Sequence, residues 1–471
     1  METSTLEKAL NSISSFVSGP VMLVLLVGTG IFLTIKLHAL PWRNLGSSLR
    51  TLFSKESRQT TNGEGDISPF SALMTALAST VGTGNIVGVA TAMVLGGPGA
   101  LVWMWISALF GISTKYAECA LAVKYRTTNS VGEMSGGPMY TIKNSFKNKG
   151  IATFLSCAFA VFTVLASFGI GNTAQANSIA SAVNNTFNIP LHIVGIVLAL
   201  FIGAVVIGGI QSISKVSSVI VPFMAVFYIV IGIAVILINI KQLPEGIILI
   251  LKSAFGYKQV GAGITGTITA SMMQSIRSGV SRGVFSNEAG LGSAAITAAS
   301  AVSDHYVKQG YINMCGTFID TIVVCTITGL TIAASGVYGT VNEAGEILNG
   351  ADLTIAAFNN SVGSAGSIFV TISIILFASS TILGWEYSGE KALEFLINKP
   401  VVRYIYRVIF TVIVFFGATA KLDIVWTFSD IANNLMAIPN LISLIVLSGI
   451  LSKETIAFQK EYKASLKKDN N

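Results

Sequence analysis

The chain has 471 residues and a formal net charge of +7, with 52% hydrophobic and only 11% charged residues. A soluble domain carries about 25% charged residues, so this composition cannot cover a core of this size with polar surface. It also excludes a disordered chain, a coiled coil, collagen and a disulfide-stapled secreted domain, and it leaves an all-α polytopic membrane protein.

Eleven apolar segments follow one another along the chain, each long enough to cross a bilayer as a helix of about 20 residues. They are 15–37, 68–95, 98–123, 151–175, 189–210, 216–240, 260–300, 310–335, 366–390, 403–420 and 422–450. The first is longer than the apolar part of a signal peptide, so we expect a retained helix. The segment 260–300 exceeds one span, and we expect its helix to continue beyond the bilayer.

Lys and Arg lie mainly on one side of this series of helices. If the N-terminus is outside, 21 of the 29 Lys and Arg fall on the inner side and five on the outer side. The outer segment 336–365 contains neither residue type. Because cytoplasmic loops carry the excess of these residues, we expect an outer N-terminus and a cytoplasmic C-terminus in a plasma membrane of the bacterial kind.

Eleven helices divide into one extra helix and two sets of five. This division predicts an extra helix with an inner loop over 1–67, a first repeat over 68–240, a second, inverted repeat over 241–450 and a basic tail over 451–471. Transporters built from inverted repeats often interrupt the first helix of each repeat at mid-membrane. Segments 68–95 and 260–300 hold the densest glycine and polar interruptions, as this organisation requires.

The run STVGTGN at 79–85 lies in the middle of the second apolar segment. Two glycines beside Thr83 and Asn85 weaken a helix at this depth, so we expect a break there. The amides that a break frees can hold a carboxylate, and the carbonyls of the preceding half-helix can hold a cation. The alternative is that the glycines only allow close helix packing.

Four blocks of sequence resemble the alanine/glycine:cation symporter family. They are TALASTVGTGNIVGVATAMVLGGPGALVWMWISALFGISTKYAECALAVKYR at 75–126, SGGPMY at 135–140, NTAQANS at 172–178 and SRGVFSNEAGLGSAAI at 281–296. The resemblance implies the leucine-transporter-like fold, a 5+5 inverted repeat preceded here by one helix. It also implies symport of small neutral amino acids, chiefly alanine and glycine, with Na⁺.

The same resemblance assigns roles around the first break. Carbonyls of Ala78, Thr80 and Val81 and the side chain of Asn85 are expected to face Na⁺. Amides at Thr83 and Gly84, with Asn85 beside them, are expected to face the substrate carboxylate. The family also places a glutamine of the NTAQ block, here Gln175, against the amino acid, near the outer end of its helix.

Segment 366–390 contains three successive hydroxyl residues, and at most two of them can face the break because neighbours on a helix differ by about 100°. The sodium-coupled fold places a Ser/Thr pair here as cation ligands, and Ser379 and Ser380 are the candidates. Thr381 and Trp385 are four residues apart on one face and are expected to line the substrate cavity. The alternative is that these hydroxyls bond to a carbonyl one turn earlier.

Segment 260–300 carries several polar residues, and we predict its break near Ser278 and Gly279, with main-chain acceptors for the substrate ammonium. Arg277, Arg282 and Glu288 are expected to form a gate or an inner ion network.

Asp320 lies in the middle of segment 310–335, where an unpaired carboxylate is costly. We expect it to pair with Arg277 or Arg282, and a place in the ion site is the alternative. Lys115 and Glu118 are three residues apart and are expected to form a structural ion pair near the inner surface.

These features favour a sodium-coupled symporter that imports small neutral amino acids by alternating access, with a proton-coupled or channel-like permease as the alternative. A channel would show a pore-lining ring or a repeated filter loop. An enzyme would need a catalytic constellation that the three dispersed histidines do not supply. The sequence predicts no cofactor and no nucleic-acid partner, and the partners it predicts are the amino acid, the co-transported Na⁺ and the lipid bilayer.

Overall fold

The computed structural model describes residues 17, 19–60, 63–255, 265–342, 345–420 and 423–469. Its helices in the first part of the chain are α1 (Pro20–Lys36), α2 (Leu40–Leu52), α3 (Pro69–Thr80), α4 (Val89–Gly96), α5 (Ala100–Lys124), α6 (Pro138–Ser145), α7 (Lys149–Phe168), α8 (Ala174–Phe187), α9 (Leu191–Val206) and α10 (Gly209–Ile238). The later ones are α11 (Leu243–Ala254), α12 (Thr265–Asn287), α13 (Ser293–Ala298), α14 (Tyr306–Thr317), α15 (Thr326–Ala334), α16 (Gly350–Val362), α17 (Ser364–Leu396), α18 (Pro400–Thr419) and α19 (Asp423–Asp469).

Short elements complete the fold. A 3-10 helix covers Glu56–Arg58, and strands β1 (Thr127–Thr128) and β2 (Met134–Ser135) form an antiparallel hairpin. Three π-helical turns, Gly84–Gly88, Gly169–Thr173 and Phe318–Cys325, lie inside the long helices. π-helical turns are rare and frequently mark functional sites, so these three positions direct attention to the centre of the bundle.

Among the described residues, seven helices are long and apolar enough to cross a membrane, or nine if each of two sharply bent pairs counts as one span. The class predicted from the sequence, an all-α polytopic membrane protein, is confirmed. The number eleven stays a prediction, and so does the division into 1–67, 68–240, 241–450 and 451–471.

The bundle has central and peripheral helices. In the most apolar window of α5, 83% of the residues are buried within the protein, whereas in that of α10 only 28% are. α5 packs against α12 and α14, and α3 packs against α10 and α17. Because α10 exposes most of its apolar surface, it faces lipid, and the polar residues of α5 lie in the interior.

The hydropathy pattern does not predict α2, α6, α11 and α16. Each has 8 to 13 residues, which is shorter than the windows that detect a span. α2 begins at Leu40 after a bend of 86° from α1, and α16 lies in the segment 336–365 that the sequence assigns to the outer side.

The loops rich in Lys and Arg meet at one end of the bundle, which we call the basic end. Lys124 of α5 pairs with Glu454 of α19. Arg126 donates from Nη1 to the carbonyl of Ala301 at 2.7 Å and from Nη2 to that of Glu64 at 2.6 Å. The ends that the sequence assigns to one side of the membrane are therefore together in space.

Six further side chains at the basic end form a set of ion pairs that we call the basic-end network: Glu133, Glu390, Lys391, Glu394, Arg403 and Arg407. Lys391 Nζ lies 3.0 Å from Glu133 Oε2 and 3.2 Å from Glu394 Oε2. Arg403 bridges Glu133 at 2.8 Å and Glu390 at 3.1 Å. Burial alone would raise the pKa of the Glu133 carboxyl, but Lys391 and Arg403 outweigh burial and hold this pKa below its ordinary value.

Candidate substrate and cation site

The helix predicted over 68–95 is broken at its glycines. α3 ends at Thr80, and Val81 leaves the helical region with φ −79° and ψ 87°. The two halves, Pro69–Thr80 and Gly84–Gly96, are bent by 52°. The interruption that the sequence predicts at 81–85 is therefore confirmed.

The side chain of Asn85 stabilises the first break by hydrogen bonds. Its Oδ1 accepts a hydrogen bond from the Gly82 amide at 2.9 Å, and its Nδ2 donates to Asp320 Oδ1 at 2.7 Å. Thr328 Oγ1 donates to the Asn85 carbonyl at 2.8 Å. Asn85 is fully buried, so this amide connects the break to the helix that carries Asp320.

Asp320 lies in the π-helical turn Phe318–Cys325 and is fully buried. Besides the bond from Asn85, its Oδ2 accepts from Ser286 Oγ at 2.9 Å and from Thr321 Oγ1 at 2.7 Å. The predicted pairing of Asp320 with Arg277 or Arg282 is wrong, because neutral donors satisfy this carboxylate.

The predicted ion network of Arg277, Arg282 and Glu288 is also not found among the described ion pairs. The Arg282 guanidinium lies 5.4 Å from the ring centroid of Phe285. Arg282 also lines a cavity of about 220 Å³ together with Asp430, and the described ion pairs include neither Arg277 nor Arg282.

Gln175 meets the first break from a second helix. Its Oε1 lies 3.4 Å from the Thr83 amide nitrogen, and its Nε2 donates to the Ile170 carbonyl at 3.0 Å. Gln175 follows the π-helical turn Gly169–Thr173 and lies 12 residues before the end of the span Lys149–Phe187. The prediction that it lies near the helix end is therefore wrong, but the structure does place it beside Thr83.

Two of the three successive hydroxyl residues of α17, Ser379 to Thr381, face the first break. Ser380 Oγ lies 3.5 Å from the Ala78 carbonyl oxygen, and a Cβ added to Gly82 would lie 2.3 Å from Thr381 Oγ1. Ser379 instead lines an apolar cavity with Ile179 and Leu376. The expectation that Ser379 faces the break is therefore wrong, and Ser380 and Thr381 face it instead, since consecutive positions turn by about 100°. Both hydroxyls also donate to the Phe377 carbonyl one turn earlier, at 2.8 and 3.0 Å, as the alternative predicts.

Trp385 joins the π-helical turn of α7–α8 to the second broken helix. A Cβ added to Gly171 would lie 2.4 Å from the Trp385 side chain, so the glycine is what allows the indole to approach. Trp385 Nε1 donates to Glu288 Oε1 at 2.9 Å, and Ser293 donates to the other oxygen of Glu288. Trp385 approaches Gly171 and Thr381 approaches Gly82, and the place of both residues in a substrate cavity stays a prediction.

The second broken helix is interrupted between α12 and α13. Glu288, Gly290 and Gly292 have positive φ values of 54°, 100° and 86°, a backbone conformation that glycine adopts without strain. Glu118 Oε1 accepts from the Gly290 amide at 2.8 Å and from Asn440 Nδ2 at 2.6 Å. Side chains of two other helices thus satisfy the main chain of this break.

The predicted break at Ser278 and Gly279 is wrong, because α12 is continuous from Thr265 to Asn287. A Cβ on Gly279 would lie 2.3 Å from the Ala100 carbonyl oxygen, and the Ser278 side chain packs against Gly96. Both residues therefore serve helix packing, and the reason for assigning them to the substrate is lost. The glycines of SNEAGLG, spaced like those of TVGTG, are the signal that locates the true break.

The two breaks are close together. A Cβ on Gly84 would lie 3.2 Å from Ser286 Cα, at the end of α12. Ser286 also bonds to Asp320, which bonds to Asn85. The first break, the second break and the π-helical turn of Asp320 therefore form one buried polar centre.

Four buried charged side chains surround this centre: Lys115, Glu118, Glu288 and Asp320. The Lys115 ammonium acts electrostatically on all three carboxylates. The predicted ion pair between Lys115 and Glu118 is absent from the described ion pairs, and within the described residues Lys115 Nζ has no hydrogen-bond partner. The centre therefore holds three acidic side chains and one basic side chain.

Two helix breaks facing each other in the middle of a polytopic bundle define a membrane transporter rather than an enzyme or a channel. The fold agrees: the chain is similar to the crystal structure of MhsT in complex with L-phenylalanine, with a TM-score of 0.52 and 12% identity over 84% of this chain and 99% of that one. This likeness confirms the leucine-transporter-like fold.

The chain belongs to the sodium:alanine symporter family, whose model matches residues 3–471. It is 50% identical to the sodium/alanine symporter AgcS of Methanococcus maripaludis, over 96% of this chain and 97% of that protein. It is 36% identical to the amino-acid carrier protein AlsT of Bacillus subtilis, over 94% of this chain and 90% of that protein. The family predicted from the four sequence blocks is confirmed, and it is a family of transporters, not of enzymes.

Proposed function

We propose that this protein imports alanine and other small neutral amino acids, glycine among them, together with Na⁺ by alternating access. The observation that carries the proposal is the buried centre in which Asn85 and Asp320 join the two helix breaks at 2.7 Å. The 50% identity to a sodium/alanine symporter supports the choice of alanine and Na⁺.

The substrate carboxylate binds at the start of the second half of the broken helix. There the amides of Thr83 and Gly84 stand at a helix N-terminus, which attracts an anion. Gln175 lies beside the Thr83 amide, and when the substrate binds, the side-chain amide of Gln175 faces the substrate carboxylate. The substrate ammonium faces Glu288, the carboxylate at the second break, because a desolvated ammonium needs a nearby negative charge.

The cation binds at the C-terminal end of α3. Carbonyl oxygens of Ala78, Thr80 and Val81 point out of a helix end that carries partial negative charge, and Ser380 supplies a hydroxyl on the opposite side. Hard cations prefer such oxygen ligands. At the same break, the Asn85 side chain donates to the Asp320 carboxylate at 2.7 Å, and this carboxylate adds an acidic group to the polar centre.

Trp385 and Thr381 limit the size of the substrate. The indole fills the space above Gly171, and Thr381 approaches Gly82. Because the discrimination of one methylene in a fitted pocket amounts to about 1–3 kcal/mol, such walls favour alanine and glycine over larger amino acids.

The basic end faces the cytoplasm, with the N-terminus outside, as the distribution of Lys and Arg favours. A membrane potential of about 100 mV contributes about 2.3 kcal/mol per charge, and a tenfold Na⁺ gradient adds about 1.4 kcal/mol. One Na⁺ per amino acid therefore supports accumulation of about several hundred-fold.

The proposal is tested by uptake of labelled alanine into proteoliposomes that contain the purified protein. An inward Na⁺ gradient should drive accumulation above the outside concentration, and a K⁺ gradient of the same size should not. Accumulation driven by a proton gradient alone would indicate a proton-coupled permease. Equilibration without accumulation under every gradient would indicate a channel-like permease.

A further inference from the structure

The carboxylate of Glu386 plays no part in the site described above. It lies on α17 directly after Trp385 and is only 1% exposed. Within the described residues, neither of its oxygens has a hydrogen-bond partner. A buried ionised carboxylate without a partner is among the costliest groups in a protein, and such a group takes up a proton or binds a cation instead.

The neighbouring cations are already paired. In the basic-end network, three carboxylates face three cations: Arg407 Nη2 donates to Glu390 Oε1 at 2.9 Å, and Arg403 Nε donates to the same oxygen at 3.1 Å. Lys391 forms ion pairs with Glu133 and Glu394. Glu386 is therefore a fourth carboxylate beside a network whose charges already balance.

The charged and titratable groups that act on Glu386 come from two helices. Glu390 lies one turn further on α17, and Arg403, Arg407 and Tyr406 lie on α18. From α7, Ser167 Oγ reaches the same face and lies 2.8 Å from the Tyr406 hydroxyl. Both arginines are bound to Glu390, so they offset only part of the repulsion that a negative charge on Glu386 would have with Glu390.

We propose that Glu386 is a proton-binding site that controls closure of the basic end. It holds a proton while α17 and α18 are packed together and the basic-end network is formed. It loses the proton to water when these helices separate. The proton enters and leaves on the same side of the membrane, so it regulates transport and is not carried with the substrate.

The position of Glu386 connects this event to the substrate site. Trp385 bonds to Glu288 at the second break, and on the other side of Glu386 the hydroxyl of Tyr387 bonds to that of Ser300, shortly after α13. A movement of α17 at Glu386 therefore displaces contacts with the break of the second broken helix and with the segment that follows its second half. This inference goes beyond the proposed function, because it concerns the closing of the bundle and not the cargo.

The first test is the pH profile of Na⁺-driven alanine uptake in proteoliposomes with the same pH on both sides. Wild-type uptake should fall on the alkaline side, with a slope approaching about tenfold per pH unit for one proton. Glu386→Gln cannot ionise, so its uptake at about pH 9 should match its own uptake at about pH 6. Glu346→Gln, which changes an exposed carboxylate, serves as the control and should keep the wild-type profile.

The second test is infrared spectroscopy of the purified protein at neutral pH, and it does not depend on transport. A protonated carboxylic acid has a carbonyl band that ionised carboxylates lack. This band should be present in wild type and in Glu346→Gln and weaker in Glu386→Gln, which lacks one protonated group. In Glu386→Asp, which keeps a carboxyl group, part of the band should be shifted in frequency.

Two results would overturn the proposal. One is a Glu386→Gln spectrum that still contains the entire wild-type band, and the other is a Glu386→Gln uptake profile with the wild-type alkaline loss. If Glu386→Gln does not fold, the absence of a frequency shift in Glu386→Asp decides against the site. If the reconstituted wild type moves no alanine at all, the proposed function fails, and the infrared result still decides the proton site.

Discussion

Asp320 is the residue that the two helix breaks share. Its carboxylate accepts hydrogen bonds from Asn85, Ser286 and Thr321, all neutral donors. No cation pairs with it among the described ion pairs. Neutral donors do not cancel the charge of a carboxylate, so Asp320 can still attract a cation that enters the site.

Asp320→Asn removes this charge and keeps the size and shape of the side chain, but it replaces one of the two acceptor oxygens with a donor NH2 group. We expect the Na⁺ concentration for half-maximal alanine uptake to rise by about tenfold, equivalent to about 1.4 kcal/mol. The measurement is initial uptake in proteoliposomes as a function of Na⁺. Asp304→Asn, at a half-exposed position beside Lys308, is the matched control. Equal Na⁺ dependence in the two variants would remove Asp320 from the ion site.

Substitution of Trp385 tests whether its indole limits the size of the substrate. Trp385→Ala empties the space above Gly171, and we expect the preference for alanine over leucine to fall by at least about tenfold. Trp385→Phe keeps a ring but loses the bond to Glu288, so it should retain most of the preference. Competition of unlabelled amino acids against labelled alanine measures both. An unchanged preference in Trp385→Ala would show that the indole is not a wall of the substrate site.

The sequence predicts the role of a residue correctly where the residue's own segment determines that role, and less well where packing against a partner helix determines it. Val81, Gly82 and Asn85 are predicted correctly as break residues, because glycine and asparagine weaken their own helix. Ser379 is assigned wrongly, since the face of α17 that meets α3 depends on helix packing and not on local spacing.

At the scale of elements, the second break shows what tertiary contacts add. The main chain between α12 and α13 is stabilised by Glu118 of α5 and Asn440 of α19. These partners are distant in sequence, so segment 281–296 alone does not reveal them. The glycine spacing of this segment resembles that of 79–85, and this spacing, not the polar residues near 278, marks the position of the break.

Gly292→Ala tests whether this break requires its backbone geometry. Gly292 has φ +86°, and an added Cβ would lie 2.5 Å from Pro138 Cγ. We expect about 1–2 kcal/mol of backbone strain and a further 1–3 kcal/mol of overpacking, with loss of alanine uptake. Thermal unfolding in detergent measures the loss of stability.

Gly339→Ala is the control for backbone strain alone, because Gly339 has φ +85° and nothing lies within 4 Å of its added Cβ. It should therefore lose only the strain contribution and keep uptake. An equal loss of stability in the two variants would show that packing against Pro138 contributes nothing to the second break.

For the whole molecule, composition and the positions of Lys and Arg predict the class and the clustering of loops at the basic end, and the family resemblance of four sequence blocks predicts the fold. They do not predict how that end is held together. Lys391 and Arg403 each pair with carboxylates from other segments, and ion pairs of this kind arise only once α17, α18 and the β1–β2 hairpin have packed. Short helices such as α2 and α16 are missed for the related reason that they lie against the bundle and do not cross it.

The central claim is that the two broken helices bind an amino acid and its coupling cation between them. An electron cryo-microscopy map of the protein purified with alanine and Na⁺ tests it most directly. We expect density for alanine between Gly82–Gly84 and Glu288–Gly292, next to Gln175, and density for the ion at the end of α3. Density for alanine at any other place in the bundle, or a continuous helix through 81–85, would contradict the account.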